Sequence, residues 1–213
     1  MEIAIIDGKT NSSLIGDRVI RYTVINGEVL ATSKNTTRIS HGTIVSQLVY
    51  CFGMCNNIYV LEVLNDHEKG SIEDLVTALE WCIHKNVDII NMSIGTTDRK
   101  DSKRIKYVCE KLVGQGKIII AAENNDNKPS SPSKFRSVVS VKHINLHRIM
   151  IYDSKNNRVF ASGCRWIRFA DGSYCKTQGC NSYACAFATG IISRKENLLK
   201  NDKSKKRFKI IWV

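Results

Sequence analysis

Proline is scarce in this chain, with 2 among 213 residues, and this argues against long ordered surface loops and linkers. No stretch approaches the roughly 20 consecutive apolar residues of a membrane-spanning helix, so no membrane partner is expected. The chain also opens without the basic and apolar regions of a secretory signal. We therefore expect a single domain over residues 1–213, large enough for a sizeable core, in the cytoplasm.

Eight cysteines are present, and without a signal sequence we expect most of them to be free thiols in a reducing compartment. Cys175, Cys180 and Cys185 recur every five residues, which matches neither the common zinc spacings nor an iron–sulfur pattern. His143 and His147 are four residues apart, but their surroundings are typical of strand and loop. We expect no metal and no cofactor.

The net charge is +12, and half of it lies in residues 191–213, which carry eight lysines or arginines and two acidic residues. We expect a basic tail at about 194–213, either solvated or available to an acidic partner. No DNA- or RNA-binding motif accompanies it. Aromatic residues are not interleaved with the charges as base stacking requires, so nucleic acid is not an expected partner.

Short apolar runs alternate with segments of helical periodicity. This alternation predicts an α/β fold in three layers, in which a mostly parallel sheet carries helices on both faces. The predicted strands are 2–6, 58–63, 87–92, 117–122 and 137–141, and the predicted helices are 41–52, one beginning at Ser71, one near 101–115 and one beginning near Ser182. The patterning is weakest over 143–178.

Polar residues follow several of these strands. Asp7, the segment Asn91–Ser93 and the pair Asn124-Asn125 all lie at predicted strand ends. Because ligands of such sheets bind beyond the carboxyl ends of the strands, we expect one functional site there.

Three of the residues at element ends form a chemical set. Asp7 closes an apolar run, His41 opens a His-Gly-Thr segment, and Ser182 precedes a helix. An acid, a base and a hydroxyl nucleophile are the components of a serine hydrolase, in which the base activates the hydroxyl. The chain order Asp, His, Ser differs from that of other folds with the same chemistry.

With these segments the chain resembles the subtilisin-like serine peptidases over most of its length. The resemblance rests on five segments in order: Ile6-Asp7-Gly8, His41-Gly42-Thr43, 87–95, the run up to Asn125-Asp126, and Asn181-Ser182-Tyr183-Ala184 through Gly190. It implies a catalytic triad of Asp7, His41 and Ser182. It also implies an oxyanion-hole amide, for which Asn125 is favoured by ungapped counting and Asn124 is the alternative.

The same resemblance implies the residues that contact a peptide substrate. Ser93, Ile94 and Gly95 correspond to the segment that pairs with the substrate backbone as an added strand. Ala122, Glu123 and Asn124 would lie near the pocket for the residue before the cut.

The sequence departs from the family pattern at several positions. The usual Gly-Thr before the nucleophile is Cys180-Asn181, and the usual proline shortly after it is Ala186. Only six residues precede Asp7, so we expect a small intracellular member without a prodomain.

These features favour a dedicated processing endopeptidase, for example one that removes an acidic leader from a ribosomally made peptide. A general intracellular turnover protease is the close alternative, and a catalytically weak peptide-binding homologue is a third. The expected partner is a peptide or protein substrate. A partner protein or a homo-oligomer is left open.

Overall fold

The computed structural model describes residues 1–36, 39–65, 67–146, 148–195 and 207–213. The strands are β1 (Glu2–Asp7), β2 (Val19–Ile25), β3 (Glu28–Ala31), β4 (Asn57–Glu62), β5 (Ile89–Met92), β6 (Ile118–Ala122), β7 (Val139–His143), β8 (Ile149–Asp153), β9 (Arg158–Ala161), β10 (Trp166–Arg168), β11 (Tyr174–Lys176) and β12 (Phe208–Trp212). The helices are α1 (His41–Phe52), α2 (Ile72–His84), α3 (Arg99–Gly114) and α4 (Asn181–Arg194).

One sheet of ten strands organises the fold, in the order β12-β8-β9-β7-β6-β5-β1-β4-β2-β3. The seven strands from β9 to β2 pair in parallel, and β3, β8 and β12 pair antiparallel at the two edges. The predicted mostly parallel α/β sheet is confirmed. A separate hairpin of β10 and β11 lies outside it.

Helices cover both faces of this sheet, as predicted. One apolar core contains residues of α1 and α4, such as Leu48 and Phe187. The other contains residues of α2 and α3, such as Leu79 and Ile105. Strands of a parallel sheet that is covered on both faces are apolar throughout, and β1 follows this rule with four consecutive fully buried residues, Ile3–Ile6.

Helices α1 and α4 lie against each other because α4 presents small residues. A Cβ at Gly190 would come within 2.9 Å of the Phe52 carbonyl carbon, so only glycine allows this approach. Ser40 caps α1 by accepting a hydrogen bond from the Thr43 N–H at 3.2 Å. The packing of α1 against α4 fixes the position of His41, at the start of α1, relative to Ser182, in the first turn of α4.

The structure contains strands that the sequence patterning did not predict. These are β2 and β3 at one edge of the sheet, and β8 to β11 in the region of weak patterning. Within the predicted basic tail, residues 196–206 lie outside the described residues. Beyond them, Phe208–Trp212 pairs with β8. This part of the tail is therefore a strand of the sheet, whereas one of the two expectations for it was a solvated tail. The bidentate pair of Arg207 with Asp153 fixes its start.

Among the described helices, none has both the length and the apolar character that crossing a bilayer requires. All eight cysteines fall within the described ranges and are free thiols.

Candidate active site

Asp7 and His41 form the best-defined contact of the site. Asp7 is the last residue of β1 and is fully buried. Its Oδ1 lies 2.8 Å from His41 Nδ1 and also accepts the Gly8 N–H at 2.7 Å. Its Oδ2 is buried and has no hydrogen-bond partner among the described residues. A buried carboxylate with an unsatisfied oxygen favours a positively charged neighbour, which is what His41 becomes when it takes up a proton.

The surroundings of His41 set its protonation. Burial lowers the pKa of His41, but the charge of Asp7, its hydrogen bond and the charge of Glu68 together raise the pKa above the ordinary 6.5. The hydrogen bond to Asp7 engages Nδ1, which leaves Nε2 to exchange a proton with another group. This is the arrangement that a general base of a serine hydrolase requires.

Ser182 lies in the same cleft as this pair. Asp7, His41, Ser93, Ile94 and Ser182 are among the residues that line a cavity of about 590 Å³. The Ser182 hydroxyl donates to the Ser93 carbonyl at 3.4 Å, and the Ser93 hydroxyl donates to the Ser182 carbonyl at the same distance. The strand end after β5 and the first turn of α4 are thereby joined at the cleft.

Tyr183 is a site residue that sequence reasoning missed. Its ring stacks on the His41 imidazole with centroids 5.3 Å apart. Burial raises the pKa of Tyr183 to about 12, so the phenol stays neutral beside the imidazole. The Tyr183 ring thus holds one face of the imidazole, and it does so from the residue that directly follows Ser182. Its position next to the predicted nucleophile was the only signal for it in the sequence.

The two candidate oxyanion amides have different surroundings. Asn125 Oδ1 accepts the backbone N–H of Asn181 at 3.3 Å, so the amide oxygen is held at the start of α4 and the NH2 group remains a donor. Asn124 Oδ1 accepts the Asp126 N–H at 2.7 Å in a local turn. Asn125 is thus attached to the start of α4, next to Ser182, whereas Asn124 is engaged in its own turn.

Asn181 connects the parts of the site. Its Nδ2 donates to the Glu123 and Asn124 carbonyls at 3.0 and 3.4 Å. Its Oδ1 accepts the His143 N–H at 2.7 Å. One side chain therefore joins the loop after β6, the end of β7 and the start of α4, which is a positioning role that the sequence did not reveal.

Asn91 does not reach the cleft, although it lies near the end of β5. It is fully buried, and its Oδ1 accepts from the Thr189 hydroxyl at 2.9 Å and the Cys185 thiol at 3.3 Å. Its role is to attach α4 to the sheet under the site.

The predicted substrate-contacting residues are divided among three depressions. Ser93 and Ile94 line the cleft itself, whereas Gly95 lines an adjoining cavity that it shares with Ile94. Glu123 and Asn124 line a separate depression of about 220 Å³, where the Glu123 carboxylate pairs with Arg158 at 2.6 Å. Ala122 ends β6 and is half-buried. In the described ranges no three His, Cys, Asp or Glu side chains converge as a metal site requires.

A sequence profile of the subtilase family matches residues 17–206. The chain belongs to this family. His41 and Ser182 fall inside the matched range, and Asp7 lies shortly before it. As a subtilase, the chain is 28% identical over 182 residues to Subtilisin DY of Bacillus licheniformis, covering 78% of this chain and 63% of the relative.

A second relative matches over a shorter part of the subtilase domain. The Minor extracellular protease Epr of Bacillus subtilis (strain 168) is 36% identical over 91 residues, which cover 41% of this chain and 14% of that protein. The chain thus spans less than two thirds of the length of either relative.

Solved structures of similar fold include three subtilase-like proteases. The prenylagaramide maturation protease PagA matches with a TM-score of 0.66 and 18% identity, over 91% of this chain and 74% of that one. The epidermin leader peptide processing serine protease EpiP of Staphylococcus aureus has a TM-score of 0.70 and 15% identity, over 92% of this chain and 66% of that one. The nisin leader peptidase NisP of Lactococcus lactis has a TM-score of 0.64 and 16% identity, over 91% of this chain and 76% of that one. At these identities the likeness concerns the fold.

Proposed function

We propose that this chain is a serine endopeptidase that acts through Asp7, His41 and Ser182. The observation that carries the proposal is the 2.8 Å contact between Asp7 and His41 in the same cleft as Ser182. Ser182 attacks the scissile carbonyl while His41 takes its proton. His41 then returns the proton to the leaving amine, and water hydrolyses the acyl-enzyme by the reverse route.

Two donors stabilise the tetrahedral intermediate in this proposal. The first is the NH2 group of Asn125, whose oxygen is held by the Asn181 N–H. The second is the backbone N–H of Ser182 in the first turn of α4, where the helix dipole favours negative charge. Ser93, Ile94 and Gly95 supply an edge on which the substrate backbone adds as a strand.

We further propose that the enzyme is a dedicated processing protease that removes an acidic leader from a ribosomally made peptide. The named roles of PagA, EpiP and NisP support this role by analogy of fold. Charge supports it independently, because the depression beside Asn124 is lined by four cations and one carboxylate, Lys128, Lys134, Lys142, Arg158 and Glu123. The free cysteines fit a reducing compartment.

A peptide-binding homologue is the second candidate. The observation in its favour is that the Ser182 hydroxyl donates to the Ser93 carbonyl, so the hydroxyl must rotate before it reaches His41. This candidate predicts that peptides bind to wild type and Ser182→Ala equally and are not cut.

Cleavage of designed peptides tests the proposal. Peptides with one cleavage sequence carry an acidic leader, its scrambled form or a basic leader, and hydrolysis is followed at about 10 mM and about 300 mM salt. We expect the acidic leader to be cut fastest at low salt and Ser182→Ala to be inactive. Equal rates for all three peptides would contradict the processing role, and multiple cuts in casein would favour general turnover.

A further inference from the structure

A second cavity lies at the opposite end of α4 from the cleft. It has a volume of about 480 Å³, and we call it the distal pocket. Its lining includes Arg165, Phe187, Ile191, Arg194, Lys195 and Trp212. No described residue lines both this cavity and the cleft. The distal pocket is therefore distinct from the candidate active site.

The pocket combines an apolar wall with positive charge. Phe187 and Ile191 belong to the buried core, while Trp212 is 73% exposed. Tryptophan and arginine are enriched at protein interfaces relative to the rest of the surface. Arg165, Arg194 and Lys195 provide three positive charges, and no carboxylate among the described residues lines the cavity.

Arg165 is the residue that points to a ligand. Its guanidinium lies 3.8 Å from the centroid of the Phe187 ring, and one terminal nitrogen, Nη1, donates to the Cys164 carbonyl at 3.3 Å. The other, Nη2, is buried and has no hydrogen-bond partner among the described residues. Burial lowers the pKa of Arg165. A desolvated guanidinium with an unused donor is costly unless an anion accepts from it.

The other two cations have a partly structural role. Arg194 ends α4 and donates through Nη2 to the Cys51 carbonyl at 3.3 Å, and Lys195 is the residue that follows the helix. Part of their charge offsets the negative carbonyl ends of α1 and α4. Arg165 comes from the segment before β10 and has no such role, so its charge remains for a ligand.

We propose that the distal pocket binds a segment of the substrate polypeptide in which a carboxylate lies next to an apolar side chain. The carboxylate accepts from Arg165, and the apolar side chain packs against the exposed ring of Trp212. This assignment rests on the proposed function, in which the substrate is an acidic peptide. It makes the pocket an anchoring site for the part of the substrate that is not cut.

The distance between the two sites sets the length of substrate that can use both. From Ser182 the helix rises about 7.5 Å to Phe187 and about 18 Å to Arg194, at 1.5 Å per residue. An extended chain spans at most about 3.3–3.6 Å per residue, so a spacer of about twelve residues covers either distance with length to spare.

The test compares a short peptide with extended versions of it. All carry one cleavage sequence, and the extended peptides add an Asp-Phe-Asp segment, or Asn-Phe-Asn as its uncharged control, after a spacer of twelve residues on either side of the cut. We expect the Asp-Phe-Asp version on one side to have a KM about tenfold below that of the short peptide and of the Asn-Phe-Asn control. Arg165→Gln should reduce the ratio of kcat/KM between extended and short peptide by about the same factor.

The matched control is Lys103→Gln, which removes one charge from the exposed face of α3 and should leave the ratio at its wild-type value. Equal ratios in Arg165→Gln and Lys103→Gln, or no gain from extension, would overturn the proposal while cleavage of the short peptide upholds the proposed function. If Arg165→Gln does not fold, Trp212→Ala makes the comparison, because it removes the exposed ring on which the apolar side chain packs. If no peptide is cut, the proposed function fails. Binding of the labelled extended peptide is then measured by fluorescence anisotropy with Ser182→Ala, with and without Arg165→Gln. Weaker binding in the double variant would uphold the distal pocket, and equal binding would overturn it.

Discussion

The imidazole of His41 is held between a carboxylate and an aromatic ring. Asp7 fixes Nδ1 at 2.8 Å, and Tyr183 stacks against the ring. The general base must be neutral to accept the Ser182 proton, and Asp7 and Glu68 favour its charged form. The pH dependence of cleavage therefore reports directly on these contacts.

We expect kcat/KM to fall as the pH drops through a midpoint above 6.5, because the pKa of His41 is raised from that value. Asp7→Asn should shift the midpoint to lower pH and reduce kcat by about 10⁴-fold, since the imidazole loses its orienting charge. Glu68→Gln is the matched control, with a smaller shift in the same direction and little loss of kcat. Rates that do not change between pH 5 and 8 would rule out His41 as the base.

The oxyanion assignment gives a second prediction at this scale. Asn125→Ala should reduce kcat by about 10²–10³-fold with a small change in KM, because the amide acts on the transition state. Asn124→Ala removes a local turn contact and should have a much smaller effect. The two variants are compared by steady-state kinetics on one peptide substrate. The reverse order of effects would assign the donor to Asn124.

At the scale of elements, the helix starts were predictable from local signals. A helix was predicted to begin at Ser71, and this residue caps α2: its hydroxyl donates to Asp74 Oδ2 at 2.6 Å and accepts the Asp74 N–H at 3.0 Å. The predicted helix 41–52 coincides with α1. A helix cap and the apolar periodicity of a helix both depend on residues that are close in the sequence. The start of a helix can therefore be predicted from one sequence.

Ser71→Ala tests the contribution of this cap. We expect it to lower the free energy of unfolding by about 1 kcal/mol and Tm by about 2–4 °C. Ser71→Thr retains the hydroxyl and should lose less. Both are measured by thermal and denaturant unfolding. A Ser71→Ala variant as stable as wild type would show that the cap contributes nothing.

The strands that the sequence did not predict depend on distant partners. Burial along β2 does not alternate regularly, because half-buried positions lie among the exposed and buried ones. The strand lies near the edge of the sheet, between β4 and β3. Strand β12 exists because it pairs with β8, more than fifty residues earlier in the chain. Such pairing is invisible to local periodicity, and the lysine-rich sequence before it favoured a solvated tail.

At the scale of the whole molecule, the parallel sheet explains why one site at the ends of its strands could be predicted before any geometry was known, whereas the triad itself was implied by the family resemblance. β1 and β5 are neighbours in parallel register, so Asp7 and the Ser93 segment were bound to meet at one edge. The contacts of Asn181 and the stack of Tyr183 on His41 depend on how α1, α4 and the loop after β6 pack together. The sequence alone does not contain these distances.

The central claim is that Ser182 is an activated nucleophile. The most direct test treats folded wild-type protein and Ser182→Ala with a fluorophosphonate and reads the intact mass of each. We predict one adduct on wild type and none on Ser182→Ala, with labelling slowed in Asp7→Asn. Folded wild-type protein without an adduct, or an adduct that persists in Ser182→Ala, would contradict the account.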